Sequence, residues 1–323
     1  MKRALAVLLA AGAAVGLASS SMTGADAAAV RRIPGTSCTA FPADNVWHSD
    51  ISALPVHGRS AAWLSNMSPR SRLHPDFGPS YGEQSVPYGI PVTVVGKSHR
   101  KVKVRFGYAD ESDRVRYPLG KDTNVEGGQW RSGDRHTIVV DAKRCKLYET
   151  WATRKTAQGW RAGSGAVWDL RSNALRPAGW TSADAAGLPI LPGLLRYDEV
   201  KAGRVDHAIR FTTDVTDRRF VWPARHQAGS VNDQSYPPMG ARFRLQADFE
   251  VDGLRADTRT VLRAMQTYGL ILADNGSPWY FQGTADNHWP EALLDELKSI
   301  PASAFEAVDA SSLRVAANSG QAR

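Results

Sequence analysis

Seven short runs limit what this chain can become. "YGIPVTVVG", "HRKVKVRFGY", "RHTIVVD", "CKLYETWA", "AVWDL", "VDHAIRFTT" and "RRFVWPA" alternate or are β-branched, and clusters of Gly, Pro, Asn and Asp separate them. Short strands at such spacing predict a mainly-β fold, an antiparallel β-sandwich or jelly roll with long loops. The 28 glycines and 18 prolines suit those loops. Near the end the period changes. "DTRTVLRAMQTYG" sets Val261, Leu262, Met265 and Tyr268 at helical spacing, with Asp257 or Thr258 as N-cap and Gly269 as stop. "WPEALLDELKSI" is a second short helix with Pro290 in its first turn. Between them, "LILADNGSPWYFQG" reads as a hairpin about Asn275-Gly276. The two helices, an appendix over about residues 255–300, are expected to pack outside the sandwich.

The N-terminus specifies a compartment. Lys2 and Arg3 precede "ALAVLLAAGAAVGLA", and "ADAAAV" follows as a cleavage-like stretch. Residues 1–29 are therefore expected to be a secretory signal peptide, and 30–323 one extracellular, monomeric domain. The apolar run, about 15 residues, falls short of the ~20 that span a bilayer. Cys38 and Cys145, the only cysteines, are expected to form a disulfide outside the cell. Two cysteines do not make a thiolate zinc site. The formal charge is +8. In "SHRKVKVRFGY", period two places Lys101, Lys103 and Arg105 on one strand face. Such a row suits an anionic polysaccharide or wall polymer. Lysines guarding an edge strand against aggregation explain it as well. Nucleic acid is not expected of a secreted chain without a recognition motif.

The candidate site starts in "GDRHTIVVDAKRCKLYETW". With a turn at Asp141 to Arg144, Val140 is expected opposite Cys145, Ile138 opposite Leu147, and His136 opposite Glu149. His136 and Glu149 would then point with the apolar set into the core, where glutamate rarely sits without a partner. "VDHAIRFTT" places His207 on an apolar face with Ile209 and Phe211, and Arg210 on the other. Glycine-flanked polar clusters add His74 and Asp76, then Glu126, Asp134 and Arg135, and Arg225 with His226.

Two carboxylates in such a setting, one of them raised by apolar neighbours, suit glycoside cleavage. Glu149 is the candidate acid, with Glu126, Asp134 or Asp169 as its partner, and His136 and His207 beside them. A uronate lyase would instead need a His or Tyr base and cations such as Arg135 or Arg210. Trp130, Trp151, Trp168, Trp180 and Trp222 offer faces for sugar stacking, although most must pack in the core. His136, Glu149 and His207 also make an alternative two-histidine, one-carboxylate metal set, without a tight spacing motif. A third reading is a non-enzymatic carbohydrate-binding protein. No G-x-S-x-G and no Gly-rich phosphate loop is present. No cofactor is specified by the residues.

The stretches "VEGGQWRSGDRHTIVVDAKRCKLYE", "ALRPAGWTSADAAGLPILPGLLRYDEV" and "PPMGARFRL" resemble a family of secreted bacterial proteins without an assigned activity. The resemblance covers most of the mature chain. It implies one domain and brings no catalytic residue. Its second stretch reads as a long ordered loop, with Trp180, Asp184 and Tyr197 as rim contacts.

Overall fold

The computed structural model describes residues 30–84, 86–128 and 132–323, so the expected signal peptide and Trp130 lie outside the described residues. In chain order the strands are β1 (His74–Pro75), β2 (Val92–Val95), β3 (Val102–Phe106), β4 (Arg116–Tyr117) and β5 (Thr137–Asp141). Then follow β6 (Lys146–Trp151), β7 (Arg154–Thr156), β8 (Gly159–Ala162), β9 (Ser164–Asp169) and β10 (Ile209–Thr213). The last are β11 (Arg242–Leu245), β12 (Leu270–Asn275), β13 (Tyr280–Phe281) and β14 (Phe305–Val308). Among the described residues four α-helices join them: α1 (Ser60–Ser65), α2 (Tyr197–Lys201), α3 (Ala256–Thr267) and α4 (Glu291–Leu297).

The mainly-β expectation holds, but the sheets are mixed rather than antiparallel. One has the order β1-β13-β10-β12-β11-β14, a second β2-β5-β6-β9, and a third β4-β3-β8-β7. The pairs β1–β13, β10–β12, β2–β5 and β3–β8 run parallel. Strand β5 is buried along its whole length because both its faces are covered. Ile138 and Val140 join the main core, while Val139 and Tyr148 pack with Tyr117, Leu119 and Trp160 beneath the third sheet. That double cover explains the near-continuous apolar run "TIVV".

The expected register of the β5–β6 hairpin is displaced by two residues. Val140 faces Leu147 and Ile138 faces Glu149, so His136 lies beyond the ladder and not opposite Glu149. A slip of two keeps every side chain on its face. The loop causes it. Asp141 Oδ1 accepts the backbone N–H groups of Lys143 and Arg144 at 3.2 and 3.1 Å, and Cys145 adopts φ 49°, leaving Asp141 to pair with Lys146. Cys38 and Cys145 form the expected disulfide with Cα atoms 5.5 Å apart.

Two further expectations change. "LILADNGSPWYFQG" does not close as a hairpin, because β10 lies between β12 and β13 and pairs with both. "RRFVWPA" contributes one isolated bridge, Phe220 to Met239, where Pro223 supplies no N–H for a ladder. Helix α3 forms where the periodicity places it and buries Val261, Leu262 and Met265, but starts at Ala256, ahead of the expected caps. Gly269 ends it at φ +69°, with no room for a Cβ, which would meet the Phe243 carbonyl oxygen at 2.1 Å. No helix among the described residues is long and apolar enough to cross a membrane.

Candidate active-site cleft

Strand ends and loops from all three sheets surround a cleft of about 370 Å³. Tyr108 and Glu111 follow β3, Asp134 precedes β5, Trp151 ends β6 and Ser164 opens β9. The long loop before α2 brings Thr181 to Ala185, a later loop brings His226, and Asp274 stands near the end of β12. Four carboxyl-bearing residues, Glu111, Asp134, Asp184 and Asp274, thus share one opening with two aromatic rings, Tyr108 and Trp151, whose centroids are 6.3 Å apart.

Arg210 organises the floor. It projects from β10 and is almost fully buried, so its charge must be met inside the protein. Its Nε and Nη2 donate to the two oxygens of Asp184 at 2.8 and 2.6 Å, a bidentate pair, and its Nη1 donates to Gln282. Asp274 Oδ2 lies 3.9 Å from the same guanidinium. Asp274 reaches this face because the β10–β12 register shifts by one residue: Phe211 faces Leu272 but Thr212 faces Asp274. Such irregularities re-aim side chains next to functional sites. Although 27 % of the Asp274 side chain still meets the cleft, the surrounding protein withholds enough water to push its pKa well above the usual carboxylate range. The neighbouring Asp184 charge, with which it shares a hydrogen bond, adds to this, and Arg210 opposes it. Burial and the Asp184 charge thus favour the protonated form of Asp274 beside a salt-bridged carboxylate.

His136 stands next to this group. Its Nδ1 lies 2.6 Å from Glu126 Oε2 and its Nε2 3.2 Å from the Ala183 carbonyl. Both neighbours are acceptors, so both ring nitrogens donate and the ring is an imidazolium. Burial lowers its pKa, but the Glu126 charge prevails and raises it to about 9. Glu149 is 0 % exposed, and its oxygens accept the backbone N–H groups of Ile190 and Leu191 at 2.9 and 2.8 Å. It ties β6 to the loop that carries Asp184. Burial, against those two bonds, brings its pKa to about 7.

The structure thus gathers Glu126, Asp134, His136, Asp184, Arg210 and His226 in or under one cleft, with Glu149 fully covered beneath it. It places the other sequence candidates elsewhere. His207 lies 3.1 Å from Glu199 of α2, in a separate buried cluster with Arg196. It precedes β10, so no ladder aligns it with His136. The alternative metal set fails with it: His136, Glu149 and His207 each engage different partners, and among the described residues no group of three or more His, Cys, Asp or Glu is placed to hold a metal ion. Arg135 is buried and donates to the carbonyls of Thr153 and Gly128. Trp180 lies against Arg176, whose guanidinium also covers Trp168 and pairs with Asp113. Asp169 pairs with Lys146 and Arg171 at the far end of β9. His226 reaches the cleft from its loop: its Nδ1 donates to the Ala185 carbonyl at 2.8 Å, and its Nε2 is 3.7 Å from Glu111.

Sequence reasoning missed Tyr108, Glu111, Asp274 and Gln282. Two of these carried a readable signal, since Tyr108 ends a strand-like run and Glu111 lies three residues beyond it. No protein-family model matches the chain, and neither the curated proteins nor the solved structures contain a match.

Proposed function

We propose that the chain is an extracellular glycoside hydrolase that cleaves a polysaccharide in this cleft. One observation carries the reading: the Asp274 carboxyl stands at the floor of an open cleft beside the Arg210-paired Asp184, where burial and that neighbouring charge push its pKa up and favour the protonated acid. Glycosidic cleavage needs such a donor, which protonates the departing sugar oxygen as the bond to the anomeric carbon breaks. A water then adds to that carbon and gives its proton to a carboxylate, for which Glu111 and Asp134 are the candidates in the same opening. Trp151 and Tyr108 supply faces on which sugar rings stack. The signal-like N-terminus and the disulfide support the extracellular setting. The stacking of the third sheet on the second through a shared apolar layer supports a sandwich-like scaffold for the cleft.

The test is turnover of a panel of neutral and acidic polysaccharides, followed by reducing ends and by the absorbance of unsaturated products. Asp274→Asn is expected to lose at least about 100-fold in kcat while staying folded, the usual scale for a general acid. Retained turnover in that variant refutes the assignment. Unsaturated products would indicate elimination instead, and binding without products a lectin-like protein.

A further inference from the structure

The outer face of the third sheet is cationic from edge to edge. Lys103 of β3 pairs with Arg116 of β4, and one row further on Arg105 of β3, Arg161 of β8 and Arg154 of β7 stand side by side across three strands. All five are exposed, and the four strands contain no Asp or Glu. Among the described residues none of the five has a side-chain hydrogen bond or ion pair. Lys101, by contrast, turns away to the Tyr148 hydroxyl. Guarding of a sheet edge does not account for the pattern, because β3 and β8 are interior strands. Like charges directly opposite one another destabilise a sheet, so the row opposes folding unless something anionic meets it.

The row also points somewhere. Where the two strands end, just beyond Arg105 and Arg161, the chains stay hydrogen-bonded, with Gly107 N–H donating to Ala162 and Tyr108 N–H to Gly163. They end at the cleft wall, in Tyr108 and Ser164. Each arginine lies three residues from its wall residue, at most roughly 10 Å of chain.

We propose that this face is the docking track for a polyanionic polysaccharide, a uronate polymer, which it feeds toward the cleft. The occupant follows from charge complementarity and from continuity with the site, and the substrate class therefore rests on the hydrolase reading. Carboxylates repeated along an extended chain meet cations spaced by the strand separation, about 4.8 Å across the row. Arg forks bind such groups bidentately.

Binding and cleavage are read separately. The full mature chain carrying Asp274→Asn, which keeps the track intact, is titrated with polygalacturonate, a neutral glucan and inorganic polyphosphate. Polygalacturonate is expected to bind and to weaken about tenfold between 0.05 and 0.2 M NaCl, as counterion release from a few neutralised charges requires. Adding Arg105→Gln, Arg154→Gln and Arg161→Gln is expected to cost about tenfold and to flatten the salt dependence. Their exposed positions leave the fold unchanged, checked by the unfolding midpoint. Equal binding of the neutral glucan, tighter binding of polyphosphate, or unchanged affinity after the three substitutions overturns the proposal. Binding of polygalacturonate without its cleavage by the native chain, with Asp274 in place, would instead strike the hydrolase reading alone.

Discussion

Glu149→Gln should make the protein more stable at alkaline pH. In the native chain both Glu149 oxygens accept backbone N–H groups, yet full burial raises its pKa to about 7 from an ordinary 4.5. Between those values the folded state keeps a proton that the unfolded chain releases. Stability therefore falls as pH rises through that window, and is independent of this group below it. At about 1.4 kcal/mol per pH unit the loss reaches about 3 kcal/mol by neutral pH. Glutamine imitates the neutral acid, with one oxygen that accepts and one group that cannot. The variant should lie within about 1 kcal/mol of the native chain at pH 4.5, the scale of one hydrogen bond. By pH 8 it should be ahead by about 3 kcal/mol. Denaturant unfolding of both proteins from pH 4.5 to 8.5, with the disulfide intact, reads the difference directly. Other titrating groups are common to both proteins and drop out of the comparison. A variant that instead loses ground as pH rises would refute the reasoning. It would mean that the two N–H groups outweigh burial and hold the carboxylate ionised.

His136, raised to about 9 by Glu126 against its burial, should stabilise the fold fully below its ordinary 6.5 and lose that contribution as pH rises to 9. Its ring-proton resonance should titrate near 9, and a midpoint below 7 would remove the imidazolium from the site. Replacing Cys38 and Cys145 together by serine opens a constraint spanning 107 residues of sequence and should cost about 4 to 5 kcal/mol of unfolding free energy on the loop-entropy account. A loss under about 1 kcal/mol would point to a compact unfolded state that already holds these segments together.

What local chemistry controls was legible in the sequence. Period two located β3, β5, β6, β9 and β10, period 3.6 located α3, and the presence of just two cysteines paired Cys38 with Cys145. The burial of Glu149 and His136 came through as well, because facing depends only on parity and survived a two-residue slip in register. Only the tertiary structure decided who meets whom. The insertion of β10 between β12 and β13 joins segments about sixty residues apart, and the one-residue shift beside Phe211 swings Asp274 onto the Arg210 face. Neither leaves a periodic trace. The same holds for His207, whose sequence surroundings match those of His136 but whose fold neighbour is Glu199. Strand order and register depend on long-range packing, and the raised acid of the cleft exists only where two distant aspartates and one arginine are brought out of water together.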